Sequence, residues 1–254
     1  MNWSAQQYLV FEEERTRPVR DLLESIPAAE VRRAVDIGCG PGNSTEALMN
    51  RYPLARVTGM DSSEDMVQTA RKRLPQLEFG LVDVRDWDEA GPFDVIFANA
   101  VFQWVPDHAS LFPRLVAKLS PGGSLAIQMP DNLEEPSHVL MREVAQDASW
   151  SDRIAHLGRA SAKGAAWYYE LLKPHCVRVD IWRTTYHHPL ASGAQGVVEW
   201  FKGSALRPLL ARLQEKEKDR FLQRYTEAIE KAYPALADGT VLLPFPRLFI
   251  VATR

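Results

Sequence analysis

Short apolar runs alternate with segments of helical periodicity through the first half of the chain. Apolar residues recur at helical spacing in STEALMNRY, SEDMVQTARKRL and HASLFPRLVAKL. The short runs between these segments have the length of buried strands, and strands that alternate with helices favour a mainly parallel sheet with right-handed crossovers. The pattern predicts a doubly wound α/β fold with strands at 32–37, 55–60, 77–82, 93–99 and 124–129.

Two helix starts resemble capping boxes. Asn43 stands three residues before Glu46, and Ser62 stands three residues before Asp65. In a capping box the first side chain accepts a hydrogen bond from the backbone of the third residue, whose side chain returns one. We therefore predict that Asn43 and Ser62 cap the helices that follow them.

In the second half of the chain, apolar residues follow a different pattern, with long helical segments on either side of one strand. Residues 134–172 have a helical pattern, 177–188 resemble a strand, and 194–233 are helical again. In the last of these segments one face of a charged helix is apolar, which predicts burial of that face. The residues of this face are Phe221, Tyr225 and Ile229.

The chain closes with a strand-like run, TVLLPFPRLFIVAT, that contains Pro244 and Pro246. Proline cannot donate to a sheet ladder, so we predict that this strand lies at an edge or carries a bulge. The whole pattern predicts a Rossmann-like fold whose mostly parallel, seven-stranded sheet has helices on both faces. We divide it into a lid segment (1–30), a core (31–190 and 237–254) and a helical insertion that caps the substrate (191–236).

Composition narrows the class of protein. The chain has 254 residues, of which 46% are hydrophobic and 25% charged, and its net charge is −3. A slightly acidic protein without a basic stripe is not expected to bind nucleic acid or an anionic membrane surface. No apolar run approaches the roughly 20 residues of a membrane helix, and the N-terminal residues lack the pattern of a signal peptide. We expect a cytoplasmic protein; the sequence does not indicate its oligomeric state.

Cysteine and histidine positions predict neither a disulfide nor a metal site. Cys39 and Cys176 lie far apart in the sequence, in a tight turn and near a strand. His187 and His188 are adjacent, and neighbouring strand residues point to opposite faces.

A glycine-rich turn, AVDIGCGPGNST, joins the first strand to the first helix of the alternating pattern. We expect its N–H groups to face a ligand at the helix N-terminus. A dinucleotide fingerprint requires G-x-G-x-x-G. Gly38 and Gly40 fit its first two positions, but Asn43 occupies the third and Pro41 lacks an N–H. The turn therefore disfavours a pyrophosphate ligand.

Polar residues also follow the next three strands. Asp61 closes the second strand and can accept hydrogen bonds from both hydroxyls of a ribose. Asp83 follows the third strand and can accept from an adenine amine, and Asn99 and Ala100 end the fourth. Adenosine contacts without a phosphate partner indicate a nucleoside with an amino-acid tail, S-adenosylmethionine.

These motifs resemble the class I S-adenosylmethionine-dependent methyltransferases, in the order D-x-G-x-G-x-G, DSS and D-V after the third strand. Several longer segments, among them IFANAVFQWVPDH, MPDNLEEPSHVLMREVA, DIWRTTYHH and FPRLFIVA, resemble the trans-aconitate methyltransferase family along nearly the whole chain. The resemblance implies transfer of a methyl group from S-adenosylmethionine to a carboxylate of trans-aconitate, without a metal.

The resemblance also implies which residues bind the cofactor. The backbone of Gly38, Cys39 and Gly40 would lie against the methionine part, and Asp36 would anchor its amine. Asp61 would bind the ribose. The adenine would contact Ser62, Met66, Asp83 and Val84, and the methionine end would contact Asn99, Ala100 and Trp104.

A tricarboxylate substrate needs cations in a protein of negative net charge. Arginine is suited to this because its planar guanidinium binds carboxylates bidentately and stays charged. We expect no essential general acid or base, because a carboxylate with a pKa of about 4 is already ionised at neutral pH. The substrate-binding candidates are Arg15, Arg17, Gln103, Arg183, Tyr186, Arg207 and Arg247.

Three alternatives remain open from the sequence. The enzyme could methylate another small carboxylic acid or a phenol. The protein could instead bind S-adenosylmethionine without catalysis and contact a protein partner through the helical insertion. An NAD-dependent oxidoreductase is disfavoured by Pro41 and Asn43.

Overall fold

The structure of the protein is a computed structural model that describes residues 12–28, 30–158 and 163–254, without the side chains of 12–15. The strands in these ranges are β1 (Arg33–Ile37), β2 (Arg56–Asp61), β3 (Glu78–Leu81), β4 (Phe93–Asn99), β5 (Leu119–Pro130), β6 (Arg178–Leu190) and β7 (Val241–Thr253). The helices are α1 (Glu12–Glu24), α2 (Asn43–Arg51), α3 (Glu64–Arg73), α4 (His108–Ala117), α5 (Pro136–Ala145), α6 (Ser151–Ile154), α7 (Ala165–Leu172), α8 (Gly193–Lys202), α9 (Arg207–Leu210) and α10 (Glu215–Ala232).

All seven strands belong to one sheet, in the order β3-β2-β1-β4-β5-β7-β6. The pairs β1–β2, β1–β4, β2–β3 and β4–β5 are parallel. Each predicted strand overlaps an observed one, although β5 already begins at Leu119. The central strands are buried nearly throughout, as expected for parallel strands covered on both sides.

The predicted edge position of the last strand is wrong, because β7 lies between β5 and β6. The beginning of β5 bonds the end of the chain, with Gly122 N donating to Arg254 O at 2.8 Å and Arg254 N donating to Gly123 O at 2.9 Å. These bonds show that β7 runs antiparallel to β5. Pro246 lacks a donor, but its carbonyl accepts from Asp131 N at 2.9 Å. A proline is thus accommodated in an inner strand through its acceptor.

Both predicted capping boxes are wrong. The cap of α2 is Gly42, and Asn43 is already the first helical residue, because the glycine turn extends one residue further than predicted. The cap of α3 is Ser63, whose side chain makes no capping bond. The carboxylate of Asp61 instead accepts from Ser63 N at 2.8 Å. A residue of the strand therefore supplies the acceptor that the sequence assigned to Ser62.

The second half contains shorter helices than the pattern predicts. The segment 134–172 contains α5, α6 and α7, and 194–233 contains most of α8 together with α9 and α10. The apolar face predicted for α10 is confirmed, since the three side chains that form it are fully buried, namely Phe221, Tyr225 and Ile229. This helix begins with a capping box that the sequence analysis missed, formed by Gln214 and Glu217.

The chain divides into two compact units. The first consists of the described residues within 1–130, 162–184 and 248–254, and the second of those within 131–161 and 185–247. The second unit contains all of the predicted insertion, 191–236. The roles predicted for that insertion as a cap and for residues 1–30 as a lid stay predictions, and residues 1–11 lie outside the described ranges.

Two further sequence expectations bear on covalent and membrane structure. Cys39 and Cys176 are both buried as free thiols. In the described part of the chain, no helix has both the length and the apolar character needed to cross a membrane.

A buried carboxylate connects β1 to α2 beneath the glycine turn. Asp36 is fully buried, and its Oδ2 accepts from Ser44 Oγ and from Thr45 Oγ1, both at 2.7 Å. Its Oδ1 is buried without a hydrogen-bond partner. Burial raises the pKa of the Asp36 carboxyl to about 7. The bonds from the two hydroxyls lower this pKa in part, and the nearby Asp61 adds to the increase.

This raised pKa predicts how the stability of the protein depends on pH. The folded state holds the Asp36 proton more tightly than the unfolded state. The free energy of unfolding that this proton contributes is therefore fully present below about pH 4 and is lost as pH rises through about 7. Replacing Asp36 with asparagine removes this loss, which is on the order of 4 kcal/mol. Urea unfolding between pH 4 and 8 should show the wild type losing free energy of unfolding relative to Asp36→Asn.

The matched control is Asp88→Asn, which neutralises an exposed carboxylate. It should follow the pH dependence of the wild type. Parallel curves for Asp36→Asn and wild type across this pH range would refute the assigned shift.

Candidate functional site

The register of the sheet brings the predicted cofactor residues to one edge. Ile37 pairs with Met60 and with Ala98, so Asp61 and Asn99 each lie one position beyond that row. Asp61 in turn pairs with Leu81, two residues before Asp83. Because parallel strands end on the same side of a sheet, the residues after them border one crevice.

The glycine turn is shaped by a close neighbour on one side and by open space on the other. Gly38 has a φ of 67°, and a Cβ there would lie 2.4 Å from Cγ2 of Val101. Gly40 has a φ of 55°, and a Cβ there would meet nothing within 4 Å. Gly38 therefore allows the segment after β4 to approach the turn, whereas Gly40 leaves bare backbone facing an open volume. A ligand can lie directly against it.

The expectation that the turn offers its N–H groups to a ligand is wrong for Gly38, Cys39, Gly40 and Gly42. Gly38 N and Cys39 N both donate to Met60 O, at 2.8 and 3.0 Å, and Gly40 N donates to Asp61 Oδ2 at 3.0 Å. Gly42 N donates to Cys39 O. Pro41, between Gly40 and Gly42, has no N–H to offer. The donors point into the protein because β2 ends beside the turn. The turn is thus not built to bind a phosphate.

Asp61 links the turn to the next helix. Its two carboxylate oxygens accept from Gly40 N and from Ser63 N. Burial raises the pKa of Asp61, and these backbone bonds oppose the shift. A carboxylate has about four acceptor positions, so two bonds leave capacity for ribose hydroxyls. The neighbouring Ser62 is exposed and Met66 is buried on α3.

Asp83 lies in an ion pair that the sequence analysis missed. Arg85 donates from Nε to Oδ1 at 2.9 Å and from Nη2 to Oδ2 at 2.6 Å, and its backbone N also donates to Oδ1. Hydrogen bonding to the Arg85 side chain lowers the pKa of Asp83. The D-x-R spacing was a usable signal. The arginine keeps Asp83 ionised and fixes its orientation.

Two other predicted cofactor residues are buried through their side chains. Cys39 packs with Val67, Leu74 and Phe79 on the inner side of the turn, and burial raises the pKa of its thiol. Val84 belongs to the main core of the first unit. Any contact of these residues with a ligand is therefore expected through the backbone.

The segment after β4 holds polar groups in a strained turn. Ala100 has a φ of 55°, in the left-handed region that non-glycine residues seldom adopt. Ala100 N donates to Gln128 O at 2.8 Å, and Gln103 Nε2 donates to Ala100 O at 2.6 Å. Oδ1 of Asn99 and Oε1 of Gln103 are both buried without a hydrogen-bond partner. Two unsatisfied acceptors on one short segment favour a cationic ligand group.

The segment continues into a 3₁₀ turn, Phe102–Trp104. Trp104, the last residue predicted to reach the methionine end, is partly exposed there.

The substrate-binding candidates differ in burial. Arg17 and Arg183 are exposed residues of the first unit, and the side chain of Arg15 lies outside the described part. In the second unit Arg207 is partly exposed on α9, whereas Arg247 on β7 is 4% exposed. Among the arginine side chains that the structure describes, Arg247 is the buried one.

The buried arginine lies against one ring of an aromatic cluster within the second unit. The Arg247 guanidinium lies 4.8 Å from the ring centroid of Phe245, and the ring of Phe245 contacts those of His188 and Trp200. Tyr186 is buried on β6 and the following His187 is exposed, which confirms that they lie on opposite faces. A planar cation beside aromatic faces is a recognised setting for carboxylate binding.

In the described ranges, no group of three or more histidine, cysteine, aspartate or glutamate side chains is arranged to hold a metal ion. His187 and His188 diverge, as their burial shows.

Comparison with known proteins agrees with this geometry. The family model described as a methyltransferase domain matches residues 34–123. A solved structure of phosphoethanolamine N-methyltransferase 2 from Haemonchus contortus, in complex with phosphomonomethylethanolamine and S-adenosylhomocysteine, is similar with a TM-score of 0.56 and 17% identity. The similarity covers 93% of this chain and 52% of that one. It confirms the Rossmann-like methyltransferase fold with its mostly parallel seven-stranded sheet.

Two curated relatives are similar over their whole length. A trans-aconitate 2-methyltransferase of Rhizobium etli is 52% identical over 256 residues, covering 100% of both chains. A trans-aconitate 2-methyltransferase of Rhodopseudomonas palustris is 52% identical over 255 residues, covering 100% of this chain and 99% of that protein. Identity of this extent over the full length leaves no segment unmatched, and the chain therefore belongs to the trans-aconitate 2-methyltransferase family.

Proposed function

We propose that the protein is an S-adenosylmethionine-dependent carboxyl O-methyltransferase that converts trans-aconitate to its monomethyl ester. The observation that carries this proposal is full-length identity of about half the residues to relatives named for that activity. The geometry of the first unit agrees with it, because the edge of the sheet offers acceptors and bare backbone where a nucleoside ligand would lie.

The residues of the first unit fit the cofactor. Asp61 would accept from the ribose hydroxyls, and Asp83, held by Arg85, would accept from the adenine amine. The buried acceptors Asn99 Oδ1 and Gln103 Oε1 match the cationic methionine end. Bound S-adenosylmethionine supplies an electrophilic methyl group attached to a sulfonium sulfur. When a carboxylate oxygen takes the methyl group, the carbon–sulfur bond breaks and the sulfur leaves as a thioether.

The protein itself has only to bind, orient and shield the substrate. The attacking carboxylate is ionised at neutral pH, because its pKa is about 4, so no residue has to remove a proton. Holding the reacting atoms at about 3–3.5 Å with the correct alignment can supply several kcal/mol of the barrier. Rigid turns at the strand ends serve this purpose.

The second requirement is a group that binds the negative charge of the substrate. Trans-aconitate has three carboxylates, and the chain has a net charge of −3. Arg247 is our first choice among the predicted arginines, because a buried guanidinium beside aromatic rings interacts with an anion more strongly than a solvated one. Arg17, Arg183 and Arg207 are more exposed, and we expect a smaller effect from each.

The activity itself is tested by label transfer. Methyl-labelled S-adenosylmethionine, incubated with the protein and trans-aconitate, should give a labelled methyl ester that alkali hydrolyses. A panel with other small carboxylic acids and phenols defines specificity. Label in phenols but not in trans-aconitate would reject the proposal. Binding of S-adenosylhomocysteine without transfer to any acceptor would indicate a sensor instead.

Replacing Asp61 should weaken cofactor binding. Asp61→Asn keeps the size of the side chain but replaces one acceptor oxygen with a donor, which cannot bond both Gly40 N and a ribose hydroxyl. Loss of a bond to a charged group costs about 1.5–3 kcal/mol, so we expect the Kd of S-adenosylhomocysteine to rise by about tenfold or more. Calorimetric titration measures this.

The control for this change is Asp65→Asn, an exposed carboxylate of the first turn of α3. Its Kd should stay within about twofold of wild type. Equal affinity of the Asp61 and Asp65 variants would show that Asp61 does not bind the ribose.

Replacing Arg247 should weaken recognition of the acid. Arg247→Gln removes the buried charge, and we expect kcat/KM for trans-aconitate to fall by about 10- to 100-fold because a charged contact is lost. Arg247→Lys keeps the charge without the fork and should be intermediate. Steady-state kinetics measures both, and the Kd of S-adenosylhomocysteine reports whether the protein is folded.

Arg212→Gln is the matched control in the second unit, since Arg212 is exposed. It should retain the kcat/KM of the wild type. A fully active Arg247→Gln protein would exclude Arg247 from substrate binding.

A further inference from the structure

A histidine ring bonds the backbone beside the predicted methionine end. His108 is the first residue of α4 and is partly buried. Its Nε2 lies 2.9 Å from the carbonyl oxygen of Phe102, and its Nδ1 lies 2.9 Å from the hydroxyl of Tyr168. Phe102 begins the 3₁₀ turn that contains Gln103 and Trp104. The ring therefore connects α7 to a segment that we assign to the cofactor site.

The two contacts determine which nitrogen carries the hydrogen. A carbonyl oxygen can only accept, so Nε2 of His108 must donate to Phe102 O. In a neutral ring, Nδ1 is then an acceptor, and the Tyr168 hydroxyl must donate to it. Burial lowers the pKa of His108, which favours this neutral form.

Aromatic packing prevents the ring from turning away. His108 stacks on Phe112 with centroids 4.5 Å apart and an angle of 14°, and Phe112 also stacks on Tyr168. Phe102, Phe112 and Tyr168 are fully buried. The rings hold their relative positions, so the hydrogen bonds keep a constant direction.

The Phe102 carbonyl takes part in a set of hydrogen bonds that shape the segment. It also accepts from Val105 N at 3.0 Å, closing the 3₁₀ turn. Upstream, Ala100 N is bonded to Gln128 O and Ala100 O to the Gln103 amide. The Gln103 amide leaves its Oε1 buried without a partner. The direction of that oxygen thus depends on how the turn is held.

We propose that His108 and Tyr168 are positioning residues of the methyltransferase site: the Tyr168 hydroxyl donates to Nδ1 and fixes the direction of the His108 ring, and the Nε2–H of that ring fixes the turn that directs Gln103 and Trp104 toward the ligand. This deepens the proposed function and rests on it for the identity of the ligand. Neither side chain touches the reacting atoms in this assignment.

The physical cause is the direction that two hydrogen bonds give to the ring. The Phe102 carbonyl can only accept, so it keeps the hydrogen on Nε2 with or without the Tyr168 hydroxyl. Without that hydroxyl, Nδ1 of His108 is a partly buried acceptor that has lost its donor. The ring then tilts within its aromatic packing, the bond from Nε2 to Phe102 O changes direction, and Gln103 moves with the turn. A displacement of about 1 Å at a catalytic site can cost up to about 10²-fold in rate.

The test removes one oxygen atom. Tyr168→Phe keeps the buried ring and deletes the hydroxyl. Tyr52→Phe is the matched control, because Tyr52 is also a buried tyrosine of the first unit, with its hydroxyl donating to Ala28 O at 3.3 Å. Nitrogen NMR of ring-labelled histidine, assigned with His108→Gln, reports the tautomer. Steady-state kinetics and titration with S-adenosylhomocysteine report the site, and melting curves report folding.

We expect His108 to carry its hydrogen on Nε2 in all three proteins, and the Nδ1 resonance to shift only in Tyr168→Phe, where that nitrogen loses its donor. Loss of one hydrogen bond corresponds to about a 2- to 12-fold effect, so kcat with trans-aconitate should fall by about tenfold in Tyr168→Phe, with a smaller change in KM. Tyr52→Phe should stay within about twofold. In Tyr168→Phe the affinity for S-adenosylhomocysteine should also fall, by about threefold.

Two results would overturn the proposal. One is a hydrogen on Nδ1 of His108 in the wild type. The other is a Tyr168→Phe protein that differs from Tyr52→Phe neither in kcat nor in the Kd of S-adenosylhomocysteine. If wild type transfers no methyl group to trans-aconitate, the proposed function fails, whereas the tautomer and the S-adenosylhomocysteine titration still decide the role of His108 and Tyr168.

Discussion

The buried Asp36 carboxylate is the interaction on which the candidate site depends. It lies under the glycine turn and accepts from both Ser44 and Thr45, so it fixes the first turn of α2 to the end of β1. The residues between these points have to follow a path of fixed length, and the left-handed glycines make that path possible. Burying a carboxylate is costly, and its raised pKa measures that cost. The position of the turn follows from this arrangement.

A turn held in this way binds a different ligand from a phosphate loop. Its donors are satisfied by Met60 O and by Asp61, so the surface toward the crevice is bare backbone bordered by acceptors. Phosphate would find oxygen atoms where it requires N–H groups. A ribose, an adenine amine and a cationic methionine end each bring hydrogen-bond donors or positive charge. Electrostatics thus distinguishes an adenosyl sulfonium from a dinucleotide more directly than the glycine spacing does.

Much of the fold and part of the site could be predicted from the sequence. The strands and the apolar face of α10 follow from periodicity, because burial repeats with the element, and the resemblance to methyltransferases is confirmed by the relatives. The inward direction of the loop donors could not be predicted, since it depends on β2 lying beside the turn. The prolines of β7 were misleading because Pro246 still takes part in the sheet through its carbonyl oxygen, which accepts from Asp131 N. Arg85, His108 and Tyr168 were missed because they contact other protein groups, and the motifs were interpreted only for residues that contact the ligand.

These missed residues share a physical role that suits the chemistry. A carboxylate nucleophile is ionised before it reaches the protein, so titrating groups have nothing to donate or remove during the transfer. What remains for the chain is orientation, and orientation requires groups whose own directions are fixed. Arg85 fixes Asp83, Ser44 and Thr45 fix Asp36, and Tyr168 fixes His108. In each case a hydrogen bond between protein groups determines the direction of another group at the edge of the sheet. Under the proposed function, a site that requires no acid or base still needs charged and titratable side chains, because they hold the backbone at the edge of the sheet.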